Sequence, residues 1–137
     1  MLADQLCAIE LSAVRELLGY MPFTPTSCDH PAIVGWFDLR GKPVRVMDLR
    51  IRLGTAPNRT DDTVMIVVDW SGVTLALIVD KCVGLENLSS VSPISFTQRL
   101  RIDPRFTAGT ATVQDRTIVI LDIARTIVIP PPLPKAA

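Results

Sequence analysis

The sequence predicts an all-β protein in which two small antiparallel barrels share a core. Three observations support this fold. Short apolar runs rich in β-branched residues recur along the 137-residue chain, turn-forming residues separate them, and one hairpin pattern occurs twice. Closing short strands into a barrel removes exposed edges, and two copies of one unit can bury their remaining apolar faces against each other.

The predicted strands are the alternating or continuous β-branched runs, at 33–39, 44–47, 64–68, 73–79, 111–113 and 118–121. Turn signals follow three of these runs, at Gly41-Lys42, Ser71-Gly72 and Asp115-Arg116. Neighbouring strands should therefore fold back on each other as antiparallel hairpins.

Helical signals are few and short. Residues 48–53 followed by Gly54, and residues 122–127 ahead of Pro130, each predict a helix of one or two turns. Periodicity leaves the segment 11–18 open. Its leucines have helical spacing, yet Val14, Glu16 and Leu18 fit one face of a strand equally well.

An internal repeat links the two halves of the chain. Residues 35–49 align without gaps on residues 109–123, and the shared aspartate before each helical turn favours duplication over chance similarity of two hairpins. Residues 6–9 correspond loosely to residues 75–78, so the counterpart of strand 64–68 would fall before residue 1. We expect the first barrel to lack its opening strand, which leaves an edge on the following strand. Either the true start lies upstream or another segment fills the gap.

Composition and charge exclude several classes of function. Basic and acidic residues number 14 each, so the chain lacks the broad positive field that non-specific nucleic-acid binding requires. No basic leader and no long apolar run are present, which predicts a cytoplasmic protein without membrane insertion. Residues 130–137 are rich in proline and should form an extended, loose tail.

Signals for catalysis or cofactor binding are weak. The sequence has no glycine-rich phosphate loop and a single histidine, His30. Cys28-Asp29-His30 is better explained as a polar loop than as a metal site, and Cys7 and Cys82 as buried free thiols. We therefore predict no catalytic residue, metal or cofactor, and favour a binding function.

Arg40 is the clearest candidate for a binding residue. Its counterpart in the repeat is Gln114, so the hairpin itself does not require a positive charge at this position. An arginine at a strand end can present its guanidinium group to a carboxylate, and Glu16 is an available partner. The alternative is that Arg40 is a solvated turn residue.

An ordered set of motifs runs through the first half of the chain. Val14-Arg15-Glu16-Leu17 is followed by Gly35, then by Leu39-Arg40-Gly41, and then by Val46-Met47-Asp48-Leu49-Arg50. This set resembles the CheW family, whose members carry V-x-E-[VI], G-x-x-N-L-R-G and P-[VI]-[VIL]-D-L-R in that order. The resemblance covers about residues 5 to 127. It implies a single CheW-like domain over 1–129, made of two duplicated SH3-like five-stranded barrels.

The resemblance also implies a function. Members of the family join the signalling tips of chemoreceptors (methyl-accepting chemotaxis proteins) to the regulatory domain of the histidine kinase CheA, without catalysis. Glu16 and Arg40 would pair on the first barrel, while Val14 and Gly35 would lie near the receptor-contacting region. Asp38 replaces the usual asparagine and could compete with Glu16 for Arg40. The alternative is a stand-alone regulator that has kept the fold but lost one partner surface.

Overall fold

The computed structural model describes residues 5–26, 30–55, 61–84 and 102–128. Within these ranges the chain forms two β-sheets and two short helices, which confirms the all-β class. The tail 130–137, the domain boundary at 129, and Cys28 and Asp29 lie outside the described residues. No helix in the described part is long and apolar enough to cross a membrane.

Nine strands and two α-helices make up the described chain. In order they are β1 (Leu6–Ala8), β2 (Val14–Gly19), β3 (Thr24–Pro25), β4 (Ile33–Leu39), β5 (Lys42–Asp48), α1 (Leu49–Arg52), β6 (Val64–Trp70), β7 (Val73–Val79), β8 (Thr107–Val113), β9 (Arg116–Leu121) and α2 (Ile123–Ile127). Short 3-10 turns at Leu11–Ala13 and Pro104–Phe106 precede β2 and β8. The segment 11–18 is thus one 3-10 turn followed by a strand.

The sheets have the orders β2-β6-β7-β5-β4-β3 and β1-β9-β8. The predicted hairpins β4-β5, β6-β7 and β8-β9 are antiparallel, as expected. Two further pairs are parallel: Met47 of β5 lies opposite Leu77 of β7, and Cys7 of β1 lies opposite Val119 of β9. In the larger sheet the parallel pair arises because β5 reaches β7 through a crossover that contains α1 and β6.

The open strand edge expected from the repeat belongs to β1. In the described residues β1 pairs with β9 on one side and with no strand on the other, whereas its counterpart β7 has β6 there. Strands of the two halves are mixed between the sheets. The first-half hairpin β4-β5 lies in one sheet with β6-β7, whereas the first-half strand β1 lies in the other sheet with β8-β9. The shortened sheet is therefore the one that contains the second repeated hairpin.

Turn geometry places two hairpin loops one residue earlier than the sequence predicted. Arg40 and Gly41 have φ of 51° and 85°, and Gln114 and Asp115 have φ of 51° and 62°. Two successive residues with positive φ match the twist of a hairpin. Lys42 already pairs with Leu39 in the ladder, so it cannot be a loop residue. The third predicted turn, at Ser71-Gly72, is confirmed.

The two repeated hairpins agree in geometry as well as in sequence. Each first strand carries a β-bulge at the same point, between Ile33 and Gly35 and between Thr107 and Gly109. The N–H of Asp48 donates to the carbonyl of Ala32 at 2.8 Å, and Asp122 donates to Phe106 at the same distance. Both aspartates then cap a short helix with their side chains, as predicted.

The central strands of the larger sheet are buried on both faces. One face of β7 contributes Leu75, Leu77 and Val79 to a shared core that also contains Val119, Leu121 and Ile127 of the second half. The opposite face contributes Ala76 and Ile78 to an inner cluster with Phe37, Val44, Val46, Met65 and Val67. We call these two clusters the shared core and the inner core. The prediction that the two units share a core is confirmed.

The two described cysteines differ in environment. Cys7 of β1 is half-buried, and this burial raises the pKa of its thiol to about 12. Cys82 is exposed, which corrects the expectation that it is a buried thiol. The apolar run that contains it ends as a strand at Val79, so Cys82 lies beyond the sheet.

Candidate functional site

Arg40 and Glu16 form a two-pronged ion pair on the surface. Nη1 of Arg40 donates to Oε1 of Glu16 at 2.8 Å, and Nη2 donates to Oε2 at 2.6 Å. Arg40 lies in the β4-β5 turn, and Glu16 lies on β2, an edge strand of the same sheet. The fork geometry fixes both side chains relative to each other.

The two side chains of the pair differ in their exposure to solvent. The Arg40 side chain is 68% exposed, whereas that of Glu16 is 20% exposed. The hydrogen bonds from Arg40, together with its charge, lower the pKa of Glu16, and the bond to Glu16 raises the pKa of Arg40. Both groups therefore stay charged at neutral pH, and the arginine presents its remaining N–H donors to solvent.

Asp38 does not compete for Arg40. Both terminal nitrogens of the guanidinium group bond Glu16, and Asp38 is exposed without an ion pair in the described part of the chain. Asp38 lies on the same face of β4 as Trp36, two residues away, whereas Phe37 and Leu39 point into the inner core. The replacement of asparagine by aspartate therefore leaves the Arg40–Glu16 pair intact.

A β-bulge separates Val14 from Glu16. Val14 lies opposite Val68, which belongs to the shared core, and Glu16 lies opposite Val67, which belongs to the inner core. The extra residue in the bulge, Arg15, thus places Val14 and Glu16 on opposite faces of the sheet. Strict alternation had predicted a common face for these two residues.

The bulge also produces an apolar strip that sequence reasoning missed. Leu17 lies opposite Ile66, so it is on the same side of the sheet as Val14 and the shared core. The residue is nevertheless 53% exposed. Leu11, in the 3-10 turn before β2, is also exposed. We call Leu11, Val14 and Leu17 the β2 strip. The signal available in the sequence was the spacing of three residues between Leu11, Val14 and Leu17.

Gly35 is required by close packing against β3. A Cβ atom added at Gly35 would collide with the carbonyl oxygen of Thr24 and with the ring of Phe23. Gly35 itself is buried and pairs with Pro25. The structure therefore gives Gly35 a packing role and places it away from the Arg40–Glu16 pair, although both lie in the larger sheet.

A buried arginine joins the two carboxylates at the end of β5 and β7. Arg50 of α1 contacts Asp48 through Nε and Nη2, both at 2.9 Å, and Asp80 through Nη1 at 3.1 Å. The hydrogen bonds that Arg50 donates to Asp48 make the largest contribution to raising the pKa of Arg50. The sequence predicted only a helix-capping role for Asp48; its contact with Arg50 was not expected, since arginine is rarely buried.

A second arginine of α1, Arg52, connects the two halves. Its Nε donates to the carbonyl of Thr126 at 2.9 Å, and its Nη2 donates to Arg125 and Val128 at the end of α2. The guanidinium group also stacks over Phe106, 4.6 Å from the ring centre. His30 lies beside it, with Nε2 3.0 Å from Nη1.

The fold and these surface groups define a small two-sheet β protein whose candidate site consists of side chains suited to contacting other proteins. The chain belongs to the CheW-like family, since the model of the CheW-like domain matches residues 1–129. This family consists of scaffold proteins of chemotaxis signalling.

Individual relatives agree with this assignment. The chain is 28% identical to chemotaxis protein CheW of Rhizobium meliloti over 123 residues, covering 88% of this chain and 79% of that protein. It is also 28% identical to chemotaxis protein CheV3 of Helicobacter pylori, of which it spans 39%. The crystal structure of scaffolding protein TtCheW from Thermoanaerobacter tengcongensis superposes with a TM-score of 0.78 at 28% identity, covering 90% of this chain and 80% of that one.

Proposed function

We propose that this chain is a non-catalytic cytoplasmic adaptor that couples chemoreceptor tips to the regulatory domain of CheA. The observation that carries the proposal is the bulge in β2, which gives one strand two chemically different surfaces. An apolar strip lies on one side, and a fixed ion pair lies on the other. Two distinct surfaces on one rigid element suit a protein that holds two partners at once.

The β2 strip is our candidate surface for the receptor tip. Its members are apolar and at least partly exposed, with Val14 and Leu17 on the edge strand of the larger sheet and Leu11 in the turn that precedes it. An amphipathic helix can place aliphatic side chains against such a strip. Gly35 is not assigned to this surface, because β3 and β4 stand at the opposite end of the strand order from β2.

The Arg40–Glu16 pair is our candidate surface for the kinase. Arg40 is held by Glu16 and still exposes most of its side chain, so its position is fixed before a partner arrives. Fixing a side chain in advance reduces the entropy lost on binding. A carboxylate or backbone carbonyl of the CheA regulatory domain would be its expected contact.

Binding measurements with the two purified partners test the proposal. We expect the full chain to bind both the CheA regulatory domain and a receptor-tip fragment. Leu17→Asp should weaken receptor binding by about tenfold or more while kinase binding is retained. Val83→Asp, which introduces the same residue at an exposed apolar position outside both surfaces, serves as the control variant.

Three outcomes would count against this proposal in different ways. Binding of neither partner by a folded protein overturns the adaptor function. Kinase binding without receptor binding supports instead a stand-alone regulator that has lost one partner surface. Loss of kinase binding in Leu17→Asp, with receptor binding unchanged, would reverse the assignment of the two surfaces.

A further inference from the structure

One exposed surface of the larger sheet takes no part in the proposed adaptor contacts. Trp36 of β4 and Arg45 of β5 lie directly opposite each other, so their side chains share one face. Asp38 and Pro43 form the next pair on that face. All four residues are exposed, and Trp36 is 41% exposed. We call these four residues the Trp36 face.

The corresponding surface of the second hairpin is buried. In the alignment of the repeats, Trp36 and Arg45 correspond to Thr110 and Val119, which are 5% and 0% exposed. Val119 belongs to the shared core, where the smaller sheet packs against the larger one. The same side of the repeated hairpin therefore packs on a sheet in one copy and faces solvent in the other.

The residue types on the Trp36 face are those of binding surfaces. Tryptophan and arginine are the side chains most enriched at energetically important positions of interfaces, and an exposed tryptophan leaves a large apolar area in water. Further along β5, two residues beyond Arg45, the same face carries Met47, which is fully buried in the shared core. The Trp36 face is thus an uncovered extension of a packing surface.

This face carries one positive and one negative side chain, Arg45 and Asp38. Arg45 and Asp38 are diagonal neighbours on β5 and β4, close enough for long side chains to meet. Neither of them takes part in an ion pair within residues 5–26, 30–55, 61–84 and 102–128. One positive and one negative group, set side by side, make the surface complementary to itself.

We propose that the Trp36 face binds a second copy of this chain about a twofold axis, with Arg45 of each copy against Asp38 of the other. A twofold interface brings the same patch of both subunits together, so the contact between Arg45 of one copy and Asp38 of the other forms twice. The two Trp36 rings then pack close to the axis and exclude water from the charged contacts. A partner with a single sign of charge would satisfy Arg45 or Asp38 but repel the other.

Sedimentation velocity of the full chain over a dilution series tests the proposal. We expect wild-type protein to pass from monomer to dimer as concentration rises. Arg45→Asp and Asp38→Arg should each weaken dimerisation by about tenfold or more, because both place like charges at two symmetric contacts. Trp36→Ala should weaken it as well. Thermal unfolding of each variant establishes that the fold is retained.

Mixing the two charge variants gives the sharpest test. An equimolar mixture of Arg45→Asp and Asp38→Arg restores opposite charges at both contacts of the mixed dimer, so the mixture should dimerise more strongly than either variant alone. Arg116→Asp, at an exposed position of the second hairpin, should dimerise as the wild type does. The proposal is overturned by a wild type that stays monomeric at every concentration, by charge variants that dimerise normally, or by a mixture that shows no recovery. The adaptor function could survive any of these results.

Discussion

Arg52 donates a hydrogen bond to the carbonyl of Thr126, which occupies the position equivalent to Arg52 in the second repeat. Continuing the alignment of residues 35–49 with 109–123 by three positions pairs these two residues. The two repeats therefore meet at equivalent positions, directly after the helix-capping aspartate of each. At this point one guanidinium group binds three carbonyls of the second half and stacks on Phe106.

Acid should loosen this contact through His30. The Nδ1 atom of His30 accepts the N–H of Ala32 at 3.1 Å, and burial, together with the charge of Arg52, lowers the pKa of the ring. A protonated ring has no lone pair for Ala32 and adds a positive charge beside Arg52. Because the folded pKa is lowered, the stabilisation is complete above the usual histidine range and is lost as pH falls through the folded pKa.

Unfolding midpoints measured by circular dichroism between about pH 8 and pH 5 check this prediction, since unperturbed histidine titrates in that range. We expect the midpoint of the wild type to fall toward the acid end. His30→Gln cannot titrate, so its midpoint should change less over the same range. Parallel curves for the two proteins would show that His30 is not responsible.

Arg40→Glu should impair binding without unfolding the protein. The substitution replaces the Arg40–Glu16 pair with two carboxylates, but Arg40 is mostly exposed and its backbone conformation is shared with Gln114 in the other hairpin. We expect affinity for the CheA regulatory domain to fall by about tenfold or more, as for charge pairs at interfaces. The unfolding midpoint should stay near that of the wild type.

Gln114→Glu is the matched control for Arg40→Glu. It introduces the same residue at the same turn position, with the same φ of 51°, on the hairpin that lacks the ion pair. It should bind normally. If Arg40→Glu instead loses stability in proportion to its loss of binding, the role of Arg40 is structural.

Gly35→Ala should destabilise the fold. The added methyl group meets the carbonyl of Thr24 and the ring of Phe23, and the backbone of β3 cannot move without losing its pairing with β4. Overpacking of this kind costs about 1–3 kcal/mol in the free energy of unfolding. Urea denaturation measures it. Gly19→Ala is the control, because an added Cβ there meets nothing within 4 Å; equal effects of both changes would contradict the packing role.

Arg50→Ala should be the most damaging of these changes. It leaves the buried carboxylate of Asp48 and that of Asp80 without the arginine that joins them. Removing one partner of a buried ion pair destabilises by about 3–5 kcal/mol. Arg125→Ala removes the exposed arginine next to Asp122, the counterpart of Asp48, and should change stability by no more than about 0.5 kcal/mol. Chemical denaturation of both variants compares the two effects, and a mild effect of Arg50→Ala would refute this prediction.

Much of the fold followed from local sequence signals. The hairpins, the two short helices and their capping aspartates could be predicted because each depends on neighbouring residues, such as the β-branched run 73–79 before Asp80. The parallel pairs could not. They join residues far apart in sequence, such as Cys7 and Val119, and nothing local to either strand specifies that partner.

The candidate site also contains features that were predicted from the sequence and features that were not. The Arg40–Glu16 contact was expected from the family pattern, and the structure places the two side chains in hydrogen-bond contact. The separation of Val14 from Glu16 was missed, because one extra residue in a bulge changes the face on which every preceding side chain lies. Arg52 was missed because its partners belong to α2, in the other half of the chain.

The parallel pairing of β1 with β9 also sets the order in which the molecule can assemble. Leu6 must find Ile118, so this contact closes a loop that contains almost the entire chain, whereas β6 and β7 meet across a tight turn. Contacts between distant residues form slowly because their loop entropy must be overcome first. During synthesis β1 therefore emerges before the other described strands and finds its partner only after β9 has been made, so one side of the shared core forms only once the β8-β9 hairpin has left the ribosome.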